Sequence, residues 1–139
     1  MHCLVLPFVN YIVKNSASFK IVDDNPALNP GPQALGHVLT RNIEDLEDCD
    51  VVIITGSTVI ENSIEKPLKI AKNADFKIII GPTASWLPDV AFQMGADAVS
   101  GMRFKEPKKA FIVIMEGGGT RDFSKHAEKY TITKDEIIE

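Results

Sequence analysis

The chain has 139 residues, enough for one hydrophobic core and too few for two ordinary domains, so residues 1–139 are interpreted as a single domain. Apolar residues make up 45% and charged residues 24%, which excludes a disordered chain. The formal charge of −4 argues against nucleic acid as a partner, and no apolar run approaches the roughly 20 residues that span a bilayer. The apolar start lacks the features of a signal peptide, and the isolated Cys3 and Cys49 do not suggest disulfides, so we expect a cytoplasmic protein.

Short apolar runs mark the strands of a predicted sheet. Three of them are continuous rather than alternating, which is typical of parallel strands covered on both faces. The strong runs are residues 3–6, 51–54 and 78–80, the weaker ones are 19–22 and 98–100, and 130–133 is a candidate edge strand.

Helical patterns alternate with these strands, at residues 8–15, 42–48, 57–72, 86–94, 105–116 and 123–129. Pro67 interrupts the third pattern and predicts a kink or a split. The segment 105–116 contains the run FIVIM, which also suits a strand, but Pro107 favours the first turn of a helix. The predicted buried face of that helix consists of Ala110, Phe111, Val113 and Ile114.

This alternation predicts an α/β fold, a Rossmann-like three-layer domain with a mostly parallel sheet of about five to six strands. The segment 25–36 has three prolines and two glycines, too many for regular structure, and is predicted to be an irregular loop.

Ligands of open α/β sheets bind beyond the carboxyl ends of the strands, and two of these ends carry Gly with hydroxyl groups. Such turns offer hydroxyls and backbone N–H groups to an anion, although Ser57 or Thr58 equally suits the role of a helix N-cap. The candidate ligand-binding residues at the two turns are Thr55, Gly56, Ser57, Thr58, Gly81, Pro82 and Thr83.

Asp23 ends the second predicted strand, where dinucleotide-binding domains place the acid that holds a ribose. It also fits an Asx turn with Asn25. The turn after the first strand, residues 6–10, has no glycine, which argues against NAD or FAD bound in the usual manner. A last candidate is an anion nest, or else a flexible exit to the tail, formed by Gly117, Gly118 and Gly119.

Metal ligands are sparse in the sequence. The three histidines are dispersed and lack the spacing of a zinc site. The weak candidates for a divalent or heavy metal ion are His37, Asp23 and Glu116. No nucleophile–base pair is visible, so the sequence assigns no reaction and leaves catalysis open.

The order and spacing of these turns resemble a known family across residues 3–121. The matching residues are 50–58, 81–83, Leu87, Pro88, Phe92, 95–97, Gly101 and 116–120. The resemblance is to the Rossmann-like C-terminal domain of a family of unknown function named for heavy-metal chelation. Its members usually carry an enolase-like domain before this one, and the presumed site lies in the cleft between the two. The resemblance implies that a second copy of this chain or a separate enolase-like partner completes the site.

The expected function is ligand binding at the strand-end crevice, with a metal ion or a metal-chelating small molecule as the ligand. One alternative is an enzyme acting on a nucleotide-like or phosphorylated small molecule, with Asp23 holding a ribose. Another is an interaction module that completes a partner's site through an apolar surface near residues 1–15.

Overall fold

The computed structural model describes residues 6–137. Six helices are found there: α1 Leu6–Asn15, α2 Ser57–Ile60, α3 Glu65–Ile70, α4 Asp89–Gln93, α5 Pro107–Met115 and α6 Thr120–Phe123. Seven strands are found: β1 Lys20–Val22, β2 Gly31–Pro32, β3 Val38–Thr40, β4 Val51–Thr55, β5 Phe76–Ile80, β6 Ala98–Phe104 and β7 Ala127–Thr133. Short 3-10 helices lie at Ile43–Leu46, Pro82–Ala84, Ser124–His126 and Lys134–Ile137. None of the helices in this part of the chain is both long and apolar enough to cross a membrane.

The described strands form two sheets. β1 is parallel to β3, which is antiparallel to β2. The second sheet has the order β4-β5-β6-β7, in which the first three strands are parallel and β7 is antiparallel. A mixed α/β fold with parallel strands is therefore confirmed, whereas a single sheet of five to six strands is not observed. In the predicted strand 3–6, residues 3–5 lie outside the described residues and Leu6 begins α1.

The main core lies between the second sheet and the helices α3 and α4. Its strand residues include Val52, Ile54, Ile79 and Val99, and its helix residues include Leu68, Ala91 and Phe92. β4 alternates in exposure: Val52 and Ile54 are 4% exposed, whereas Val51 is 58% and Ile53 42% exposed. The continuous apolar run 51–54 is therefore packed on one face, and the expectation of burial on both faces is wrong here.

The helical pattern 57–72 is split as predicted, but at a different place. The break lies between α2 and α3, where Asn62 has a left-handed φ of 54°. Pro67 lies in the first turn of α3, where its missing N–H leaves no intrahelical hydrogen bond unmade. Gly95 ends α4 with a φ of 96°, which is the cap that the sequence predicts.

The last third of the chain contains two corrections. Residues 127–129, predicted as helix, belong to β7, which pairs with β6 along all seven of its residues. α5 is a helix as predicted, but Phe111 is 62% and Ile114 46% exposed. The reason is that α5 packs on α6 and on the short helix Ser124–His126, which cover only the side that carries Ala110 and Val113.

Candidate functional site

The turn that follows β4 is held together by its own hydroxyl groups. Thr58 is buried and its Oγ1 donates to the carbonyl oxygen of Thr55 at 2.8 Å. Thr55 Oγ1 accepts from Ser57 N at 3.4 Å and lies 3.1 Å from Ser57 Oγ. The residue in the N-cap position of α2 is Gly56, so the expectation that Ser57 or Thr58 is the N-cap is wrong. Thr58 thus stabilises the turn, while Thr55 and Ser57 remain half-buried at its surface.

The turns after β4 and β5 touch each other directly. Gly56 N donates to Ile80 O at 2.8 Å. A methyl group on Gly56 would lie 2.6 Å from Ala84 N and 2.7 Å from Thr83 Oγ1. The two turns therefore leave no space between them at Gly56, and a ligand binding there has to lie to one side of this contact.

Asp23 shares a cavity with the turn after β4. Its side chain is 2% exposed, and Oδ1 accepts from Asn25 N at 2.9 Å, which is the Asx bond that the sequence predicts. Asp23, Thr55 and Thr58 all line a cavity of about 610 Å³ between β1 and β4. Its apolar wall includes Val22, Ile54 and Ile80. The structure therefore brings together three of the residues that the sequence singled out.

The remaining strand-end residues lie elsewhere. Gly81, Pro82 and Thr83 belong to the neighbouring turn, where Gly81 N donates to Ser100 O at 3.0 Å. In the glycine run, Gly117 N donates to Ile114 O and Gly118 N donates to Val113 O.

Gly119 N, the third amide of that run, donates to Asp122 Oδ2 at 2.7 Å. The amides of the glycine run, residues 117–119, all serve to end α5 and begin α6. The prediction of an anion nest is therefore wrong, because these three N–H groups donate to acceptors within the chain.

The weak metal candidates do not form a cluster. His37 is 5% exposed, its ring centroid is 6.2 Å from that of Phe19, and its Nδ1 is buried without a hydrogen bond. Glu116 is exposed at the end of α5. Within residues 6–137, no group of three or more His, Cys, Asp or Glu side chains is placed to hold a metal ion.

The sequence did not single out two other features near the strand ends. Cys49 lines the cavity at the entrance to β4, and burial raises the pKa of its thiol. Beyond β6, Glu106 accepts from Lys109 and from His126 Nδ1, and these two bonds lower the pKa of the Glu106 carboxyl. The burial of Cys49 and the contact of Glu106 with His126 depend on segments that are distant in sequence, so no local spacing could indicate them.

The fold and these residues define the class of the protein: an α/β domain with a ligand-sized cavity bordered by the carboxyl ends of β1 and β4. The family model for DUF364, described as "Putative heavy-metal chelation", matches residues 5–133. The chain therefore belongs to this family.

The chain is similar to three proteins described as uncharacterized or of unknown function. The uncharacterized protein MJ0500 of Methanocaldococcus jannaschii is 29% identical over 132 residues, which cover 92% of this chain and 49% of the relative. A DUF364-family protein of unknown function from Pyrococcus horikoshii has a similar fold, with a TM-score of 0.77 and 22% identity over 94% of this chain and 52% of its own. A DUF364-family protein of unknown function from Desulfitobacterium hafniense also has a similar fold, with a TM-score of 0.63 and 28% identity. The match covers 74% of this chain and 41% of that protein. The chain thus spans about half the length of these relatives.

Proposed function

We propose that this domain binds a metal ion carried in a small complex, in the cavity between β1 and β4. The observation that carries the proposal is the buried carboxylate of Asp23, which lines the cavity with Thr55 and Thr58. Burying a carboxylate is costly unless hydrogen bonds or a positive charge compensate for it. Among the described residues, Asn25 N is the one donor to this side chain. A cationic complex in the cavity would supply the missing compensation.

The donor set favours a complex over a bare heavy metal ion. Carboxylate and hydroxyl oxygens suit hard cations, whereas soft heavy metals prefer thiolate and imidazole ligands. Asp23 and Thr55 offer only oxygen, and Cys49 carries a thiol whose raised pKa disfavours the thiolate. We therefore propose that the metal keeps its own ligands, and that water or amine groups on it donate hydrogen bonds to Asp23. The apolar wall at Val22 and Ile80 would contact the organic part of the complex.

The test uses calorimetric titration with three probes: Ni²⁺ alone, its tris(ethylenediamine) complex, which is a dication with amine N–H donors, and hexaamminecobalt(III), whose ammonia ligands do not exchange. Asp23→Asn keeps the acceptor for Asn25 N but removes the charge. Losing one charge-assisted hydrogen bond costs about 1.5–3 kcal/mol, so the Kd for the complexes should rise about tenfold or more. The matched control is Asp24→Asn, because Asp24 is exposed next to Asp23 and does not line the cavity.

Three outcomes would count against the proposal. The first is the absence of binding heat with all three probes. The second is equal weakening in Asp23→Asn and in Asp24→Asn. The third is binding of adenosine monophosphate, lost in Asp23→Asn, without binding of any metal complex, which would favour the nucleotide-like ligand instead.

A further inference from the structure

We propose that the outward face of α5 is the contact surface of a homodimer, in which the α5 helices of two copies pack antiparallel. This inference is independent of the ligand proposed above. The apolar residues of this face are Phe111, Ile112 and Met115, which are 62%, 54% and 71% exposed. With Lys108 they follow the spacing i, i+3, i+4, i+7, which places them on one stripe of the helix.

This stripe lies opposite the side by which α5 is anchored. Ala110 is the buried residue of the helix, and it packs with Met102 and Phe123, with Val113 beside them. Scattered exposed apolar residues are normal on a protein surface, but a contiguous stripe marks an interaction site. A stripe with this spacing is also the seam by which helices pack against one another.

The charges at the two ends of α5 favour a second copy as the occupant. Lys108 lies in the first turn and Glu116 follows the last turn, and both are exposed. Lys109, in contrast, is already bound to Glu106. In an antiparallel pair, Lys108 of each copy faces Glu116 of the other, so both charges are matched twice. A parallel pair would place like charges together. Such pairs at the rim set orientation more than affinity.

The size of the face predicts a weak dimer. α5 has nine residues and is about 13 Å long, given a rise of about 1.5 Å per residue. One stripe of this length buries less than the roughly 800 Å² per partner of a standard interface. We expect a Kd on the order of 10–100 µM, since a patch of this kind provides few anchoring side chains.

Sedimentation velocity over a concentration series tests the proposal. The weight-average mass should rise from 15.3 kDa towards twice that value. The double substitution Phe111→Glu with Met115→Glu should raise the Kd about 100-fold, because it removes both apolar anchors. Leu87→Glu is the matched control, since Leu87 is 79% exposed and lies outside α5. Circular dichroism of every variant shows whether it is folded.

A charge swap tests the antiparallel orientation. Lys108→Glu and Glu116→Lys should each weaken the dimer about threefold to tenfold, and the two together should restore it. Additive weakening in the double variant would overturn the antiparallel arrangement. A chain that remains monomeric up to about 500 µM, several times the expected Kd, would overturn the dimer. So would a dimer that tolerates the Phe111→Glu and Met115→Glu pair.

Discussion

The close contact between the turns after β4 and β5 predicts that a side chain at Gly56 destabilises the fold. Gly56→Ala places a methyl group 2.6 Å from Ala84 N, 2.7 Å from Thr83 Oγ1 and 2.9 Å from the Thr83 carbonyl carbon. Two of these three atoms belong to the backbone, so a side-chain rotation cannot relieve the clash. Either the segment Pro82–Ala84 moves or the start of α2 moves.

Two opposing effects set the size of the change. Overpacking a close contact costs about 1–3 kcal/mol. Gly56 has φ −63° and ψ −15°, which alanine adopts without strain, so the substitution also gains about 0.4–1 kcal/mol by restricting the unfolded chain. The steric cost is larger, and we expect a net loss of about 1–2 kcal/mol. For a domain of this size, that lowers the Tm by roughly 3–8 °C.

Thermal unfolding followed by circular dichroism measures this effect. Gly119→Ala is the control, because Gly119 has a φ of −93° and the nearest atom to an added methyl group is Asp122 Oδ2 at 3.9 Å. The control has no steric clash, so it should lower Tm only by the effect of alanine replacing glycine at the N-cap of α6, and less than Gly56→Ala does. Equal Tm values for Gly56→Ala and the wild type would refute the reasoning, since they would mean that the two turns do not touch.

Three further predictions concern groups that are wholly or partly buried. Asp97→Ala should destabilise the fold by about 1–3 kcal/mol, because Asp97 Oδ2 accepts from Lys77 N at 2.7 Å and a buried backbone N–H would lose its acceptor. Lys77→Met leaves Asp97 without the ammonium group 3.7 Å away, so it should cost more in urea unfolding than the double variant Lys77→Met with Asp97→Asn, which removes both charges; equal costs would contradict this. Burial raises the pKa of the Cys49 thiol in the folded protein, so the neutral thiol contributes to the free energy of unfolding. This contribution is fully present below the pKa of the unfolded thiol, and it is lost as the pH rises through the folded pKa. The rate of Cys49 alkylation, measured on the peptide that contains Cys49 after digestion, should therefore have a higher midpoint pH when the folded protein is labelled than when it is labelled in guanidinium. Equal midpoints would disprove the shift.

The strands and turns were predictable where the sequence signal is local. The apolar run 51–54, the turn Thr55–Thr58 and the capping role of Gly95 are confirmed, because each depends on neighbouring residues. β3 was missed, since its three residues become a strand only through pairing with β1 and β2. The strand character of residues 127–129 was missed for the same reason, as it depends on pairing with β6.

The candidate site was predictable as a set of residues but not as a geometry. The sequence placed Asp23 and Thr55 at strand ends, and the structure places both on one cavity. It could not show that Gly56 closes the space between two turns, because a close contact depends on the packing of two distant segments. Nor could it show that the amides of Gly117–Gly119 are used within the chain, since glycine-rich sequence is compatible with both open and closed turns.

The pairing of β6 with β7 brings together the two ends of the segment that carries the last helices. The two strands are joined from Ala98 and Thr133 to Phe104 and Ala127, so the whole segment 105–126 begins and ends at adjacent positions. The entropy of closing a loop changes slowly with its length, and a segment fixed at its base tolerates insertion or exchange. Residues 105–126 are therefore a place where evolution or an engineer can graft a new recognition surface, provided that the replacement still covers Met102 of β6.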